Sequence, residues 1–257
     1  MKNKSGFSST VIILAVAIIV FGGFLTWAIV RNQASTTEII GDYDRTKIIP
    51  ASENSGNIEE HVEGNPNADL VIVEYSDYQC SGCASVVDDV EQLVEKYGDK
   101  IAIVHRTYVL SYHDNGTAAA IAVESAGLQG YWKKYGDYLF ENQSDWFYSD
   151  ASKRTDQFVS YFNIVTEGKG DVDKFIADMS AENTKAKVNF DISLAKQVKD
   201  KIQYTPAFFI NDEFVDWAYD NKDNVPIVDY FSNIIDEKLG LEPEVKKDTE
   251  KKTETEK

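Results

Sequence analysis

Residues 70–97, LVIVEYSDYQCSGCASVVDDVEQLVEKY, constrain the fold more than any other stretch of the chain. Residues 70–75 are mostly β-branched and apolar, which predicts a buried strand. Residues 76–79 form a polar turn, and beyond it the apolar period changes. Val86, Val90, Leu93, Val94 and Tyr97 recur at i, i+4, i+7, i+8 and i+11, with Asp88, Asp89, Glu91, Glu95 and Lys96 on the other faces. That spacing predicts an amphipathic helix whose first turn is Cys80-Ser81-Gly82-Cys83.

Cysteines at the tip and in the first turn of a helix suit redox chemistry. Unpaired N–H groups and the positive dipole end stabilise an anion there, so the Cys80 thiolate is favoured. Thiols so placed titrate between about 3.5 and 7.5, against about 8.5 when free. Cys83 lies one turn deeper, near enough to resolve a mixed disulfide formed at Cys80. Cys80 is the expected attacking sulfur and Cys83 the resolving one.

The chain has two cysteines in 257 residues, and chance would place such a pair three apart in about 1% of arrangements. Other readings of the pair stay open. A zinc site needs two further ligands, and the histidines available are His61, His105 and His113. A static disulfide across so short a loop stabilises little. Two inert core cysteines fit poorly at an exposed strand-to-helix turn. The redox reading fits best, with no metal and no cofactor required.

Residues 11–30, VIILAVAIIVFGGFLTWAIV, carry no charge. Twenty helical residues span about 30 Å, the thickness of a hydrocarbon core. The run is too long for a signal peptide and lacks a good small-x-small cleavage site, which predicts an uncleaved anchor. Lys2 and Lys4 precede it, so residues 1–10 are expected in the cytoplasm and the rest outside. That side of the membrane is oxidising. Residues 31–57 read as a linker, mostly polar with the short apolar pair Ile48-Ile49 before Pro50, and residues 241–257 as a disordered polyampholyte tail. A net charge of −17, without a basic stripe, argues against nucleic acid.

Between these ends, residues 58–240 are long and apolar enough to bury a core. Residues 101–110 predict a second strand, parallel to the first, completing a right-handed βαβ unit. In such sheets reactive groups lie beyond the carboxyl ends of the strands, where Cys80 falls. Residues 112–202 offer only helical segments, at 116–128, 130–141, 151–162, 172–179 and 186–202, the third opened by Asp150 as an N-cap. Strands follow at 207–210 and 214–217 around Asn211-Asp212, then a closing helix at 225–239 with Pro226 in its first turn. The fold class is therefore α/β with an inserted helical subdomain. Thr205-Pro206 opens the third strand, and a trans proline is the commoner form there.

Residues 61–239 resemble the DsbA-like thiol-disulfide oxidoreductases, which have a thioredoxin-like fold. The resemblance rests on GNPNADLVIVEYSDYQCSGC, YHDNGTAAAIAVESAGLQGYW, LFENQSDW and YTPAFFINDEF. It implies that Cys80 and Cys83 form the redox-active disulfide and that Pro206 is cis, with Thr205 beside it facing the substrate. It also implies that Glu74 is a buried acid beneath the pair, able to relay the Cys83 proton through water. Ser81-Gly82 departs from the Pro-His pair common in strongly oxidising relatives, so no imidazole supports the Cys80 thiolate. His113 is expected in a capping or surface position.

The expected activity is disulfide introduction into exported proteins with free thiols. A quinone-linked membrane protein would re-oxidise the pair, and the protein would act as a monomer on the membrane. The alternatives are a reductase or isomerase kept reduced by a membrane donor, and a non-catalytic module that binds extended segments beside Pro206.

Overall fold

The computed structural model describes residues 43–198, 202–221 and 225–242. The expected anchor at 11–30 and residues 243–257 of the tail lie outside that range. Among the described residues no helix is long and apolar enough to cross a membrane.

Three strands form the first part of a mixed sheet: β1 (His61–Gly64), β2 (Leu70–Ser76) and β3 (Ile101–Thr107). β2 and β3 run parallel, in register from Leu70 opposite Ile101 to Ser76 opposite Thr107, as the βαβ pattern predicts. β1 lies antiparallel on the outer side of β3 and has no counterpart in the sequence reading. Its first three residues are half-buried and it ends in the exposed Gly64 at φ 81°, so no apolar run marks it. β4 (Ala207–Ile210) pairs antiparallel with β2, and β5 (Glu213–Val215) with β4, giving the order β1-β3-β2-β4-β5. Asn211 and Asp212 both take positive φ in the turn between them, as a two-residue hairpin turn requires.

The helix expected to run unbroken from Cys80 to Tyr97 is two helices, α1 (Ser81–Ala84) and α2 (Val87–Tyr97). Val86 interrupts it with φ −108° and ψ 0° while staying buried. The insertion comprises α3 (Gly116–Gly127), α4 (Trp132–Glu141), α5 (Gln143–Trp146), α6 (Ala151–Val165), α7 (Val172–Ser180) and α8 (Glu182–Gln197). The single turn α5 was not anticipated, and α8 starts four residues before the expected 186. Asp150 does sit at the N-cap of α6, but its side chain makes no capping bond. The strand expected at 214–217 stops at Val215, and Trp217 opens α9 (Trp217–Asp220). Pro226 is the N-cap of α10 (Ile227–Leu239) rather than part of its first turn.

Two apolar cores result. Leu70, Ile72, Ile101, Ile103, Phe208 and Ile210 on one sheet face meet Val90, Leu93 and Tyr97 of α2 and Phe231 and Ile235 of α10. A second core fills the insertion with Tyr135, Leu139, Trp146, Phe158, Phe162 and Phe175. Within it Phe162 and Phe175 stack with ring centroids 4.2 Å apart.

Residues 43–57, expected as linker, pack onto the domain. Ile49 and Ser55 are buried, and the main-chain oxygens of Arg45 and Lys47 accept hydrogen bonds from the buried Arg106 guanidinium. Glu60 neutralises that guanidinium at 2.5 Å. Gly56, at φ 63°, lies so close to the Asn183 main chain that a Cβ would sit 2.1 Å from its oxygen. Beside the isolated anchors Ile49 and Tyr43, carbonyls and a glycine do the docking, and these leave no periodic apolar pattern.

Candidate active site

The polar turn after β2 delivers Cys80 as the N-cap residue of α1, with extended backbone (φ −83°, ψ 121°). Cys80 is half-buried and Cys83 buried, and both are free thiols. Thr205-Pro206 is a cis peptide, and the Thr205 carbonyl accepts the Cys80 thiol hydrogen bond at 3.3 Å. Gly82 permits this approach: a Cβ there would lie 3.1 Å from Thr205 O and 3.5 Å from Pro206 Cδ. Ser81 is exposed at the rim.

The two thiols are electrostatically opposite. A hydrogen bond from the Cys83 thiol, with help from Thr205 and the Cys83 and Gly82 backbone, outweighs burial and holds Cys80 down to about 5. The Thr205 hydroxyl is buried and meets no partner at hydrogen-bond geometry, so its effect on Cys80 is one of proximity. Burial pushes Cys83 well up, and its bond to Cys80 and the charges of Cys80 and Glu74 act the same way. The helix tip contributes to the lowering of Cys80 through the backbone N–H groups of Cys83 and Gly82. α1 is one turn long, and the neighbouring thiol is the largest single contributor.

Glu74 is buried (5% exposed), as the resemblance implies, and its charge acts on Cys83. It has a partner that the sequence reading did not foresee. In the β2–β3 register it stands opposite His105, whose Nδ1 lies 3.0 Å from Glu74 Oε2 while Nε2 lies 2.9 Å from Glu63 Oε2. Burial opposes protonation of that ring, but the two carboxylates prevail and raise His105 to about 9. These groups, with Tyr78, Trp132 and Lys133, line a small pocket that is partly open to solvent.

The other histidines are also paired. His61 Nε2 lies 2.9 Å from Glu124 Oε2, and its ring stacks on Trp132 at 4.4 Å. His113, expected to cap or face solvent, is instead buried against Asp77, with Nδ1 2.7 Å from Oδ2. Among the described residues no group of three or more His, Cys, Asp or Glu side chains is placed to hold a metal.

With this geometry, a thioredoxin family model matches residues 56–230. The chain belongs to the thioredoxin family. Within this family it is similar to the Probable disulfide bond formation protein D of Bacillus anthracis, at 22% identity over 231 residues, covering 86% of this chain and 95% of that protein. It is also similar to part of the Na(+)/H(+) antiporter NhaA of Herminiimonas arsenicoxydans, at 31% identity over 161 residues, 63% of this chain. The chain spans 24% of that antiporter's length. The crystal structure of oxidised BdbD from Bacillus subtilis superposes with a TM-score of 0.56 at 18% identity, covering 76% of this chain and 98% of that one. A thioredoxin-like fold with a helical insertion, DsbA-like in architecture, is thus shared.

The sequence reading of this thioredoxin-family site passed over its scaffolding. Gln79 donates to Phe147 O at 2.8 Å and accepts from Asn115 N–H at 2.7 Å, while Gln143 donates to Tyr78 O at 2.9 Å. The Asn115 amide in turn donates to the main-chain oxygens of Trp146, Phe147 and Ser149. These bonds lash the redox turn to the insertion. Their one signal in the sequence was the polar character of residues 76–79.

Proposed function

We propose that the protein is a membrane-anchored, extracytoplasmic thiol-disulfide oxidoreductase that introduces disulfides into exported proteins. The observation that carries this is the asymmetric pair: a half-buried Cys80 thiol held to about 5 beside a buried Cys83 held far higher. A low pKa on the accessible cysteine stabilises the reduced protein, which makes the disulfide form a better oxidant. Similarity to the disulfide bond formation protein supports the same direction. Residues 11–30 serve as the anchor.

In the reaction, a substrate thiolate attacks Cys80 Sγ of the Cys80–Cys83 disulfide. The S–S bond breaks, Cys83 leaves as a thiolate, and a mixed disulfide forms at Cys80. A second substrate thiolate attacks the substrate sulfur of that bond, and Cys80 departs as a thiolate. The substrate leaves oxidised by two electrons and the pair is left as a dithiol. A quinone-linked membrane protein then takes up those electrons. Glu74, held beneath the pair with His105, serves as the water-linked acceptor and donor of the Cys83 proton, and Thr205 and Pro206 face the extended substrate.

The test is the reduction potential of the full-length chain, equilibrated in glutathione buffers and read by thiol alkylation. A value near or above about −180 mV marks an oxidase, and one near about −270 mV turns the assignment to a reductase. A pair that never exchanges with glutathione removes the enzymatic reading and leaves a binding module. Cys80→Ser is expected to abolish dithiol oxidation, and retained activity in that variant would contradict the mechanism.

A further inference from the structure

Three residues before Cys80, Asp77 places a carboxylate inside the redox turn with no exposure to solvent. Its bonds come from three directions. Oδ1 accepts the Gln79 N–H at 2.9 Å, and Oδ2 accepts the Leu110 N–H at 2.9 Å and the His113 Nδ1–H at 2.7 Å. His113 lies at the entrance to the insertion, its ring edge-on to Tyr112 and Phe147. Gly116 closes the fourth side, where a Cβ would stand 2.7 Å from Asp77 Oδ1. A desolvated carboxylate is costly unless fully bonded, so this one is held in a single place.

The main chain of the same residue touches both cysteines. The Asp77 carbonyl accepts the Cys80 N–H at 2.9 Å, and the Asp77 N–H points at Cys83 Sγ at 3.4 Å. Fixing the carboxylate therefore fixes a backbone donor aimed at the buried sulfur.

We propose that Asp77 and His113 are positioning residues for thiol-disulfide exchange: His113, from the insertion, clamps the Asp77 carboxylate and so aims the Asp77 N–H at the sulfur that leaves. The proposal rests on the function given above. When an incoming thiolate bonds to Cys80 Sγ, the Cys80–Cys83 bond breaks and its electron pair stays on Cys83 Sγ. The incoming thiol is oxidised to the mixed disulfide as the protein disulfide is reduced, and Cys83 later takes its proton by the water-linked route through Glu74. A hydrogen bond to a charged sulfur is stronger than one to a neutral disulfide. The Asp77 N–H thus acts mainly on the transition state, where the charge develops.

The experiment uses the oxidised full-length chain with glutathione as the probe, quenching with acid and alkylating to follow disulfide loss. His113→Leu keeps bulk but removes the donor, and is expected to slow reduction about ten-fold, the scale of one bond to a charged group. His113→Asn, whose amide N–H falls near the Nδ1 position, is expected to recover to within about three-fold of the parent. Alkylation of reduced Cys80 by iodoacetamide at pH 7 is expected to stay within about two-fold, because its thiolate draws on Cys83 and Thr205 instead. If His113→Leu does not fold, Asp77→Asn, which keeps the shape of the turn, carries the same expectation.

A lowered melting temperature with glutathione rates unchanged, or both rates falling together, marks a purely structural pair and overturns the proposal. A parent that does not react with glutathione at all instead overturns the oxidoreductase reading beneath it.

Discussion

His105 gives the fold a pH dependence whose sign and size follow from its surroundings. The ring lies between Glu74 and Glu63, at 3.0 and 2.9 Å, with 16% of the side chain exposed. Burial favours the neutral ring, but the paired carboxylates lift it from 6.5 to about 9. Between those values the folded chain holds a proton that the unfolded chain has released. This contribution is complete below pH 6.5 and is lost as pH rises through 9. The difference of about 2.5 pH units, at about 1.36 kcal/mol each, comes to about 3 kcal/mol. In the reduced protein Cys80 acts in the opposite sense. Held down to about 5 from 9.0, it stabilises the fold fully above pH 9 and loses that contribution as pH falls towards 5. Solvent at its half-exposed sulfur screens the effect, so the offset is partial. The assay is urea unfolding of full-length Cys80→Ser/Cys83→Ser at pH 6, 7, 8 and 9. Stability is expected to fall by about 3 kcal/mol across that range, with a flatter profile in the reduced parent. A double variant whose stability is level or rises between pH 6.5 and 9 would show that His105 does not keep its proton, and the argument would be refuted.

Thr205→Val removes the hydroxyl beside Cys80, and the thiolate midpoint, followed by alkylation rate against pH, is expected to rise. Gly116→Ala drives a methyl group to 2.7 Å from both Asp77 Oδ1 and Val109 Cγ1, and urea unfolding should show a loss of about 1–3 kcal/mol. Arg106→Leu leaves Glu60 buried without its cation and is expected to cost about 3–5 kcal/mol, with Glu60→Gln added to it recovering part of the loss.

What the sequence shows of this fold is what local periodicity can encode. β2, β3, the amphipathic α2 and the placement of Cys80 and Cys83 all follow from apolar spacing within one short stretch. β1 and residues 43–57 escape because carbonyls, half-buried side chains, Gly56 and isolated anchors such as Ile49 hold them, not a periodic apolar face. Glu74 was legible as a buried acid only through family resemblance. Its pairing with His105 depends on the β2–β3 register, 31 positions apart in the chain, which no single segment states. The break at Val86 was hidden because the residue keeps its apolar place after the helix is interrupted. His113 was misplaced for a similar reason: a histidine beside Asp114 in a loop looks solvated until the turn at Asp77 folds back onto it.

The reactive sulfur is assembled from distant parts, and this sets an order in time. Cys80 owes its acidity to Cys83, three residues on, and to Thr205, 125 residues on. The buried groups of its turn find their partners between Leu110 and Phe147. A chain lengthening from its N-terminus therefore presents Cys80 without its Thr205 partner until residue 205 has been added. The full acidity of Cys80 waits for the segment around residue 205 to pack against the helix tip, where Thr205 adds to what Cys83 and the local backbone already supply.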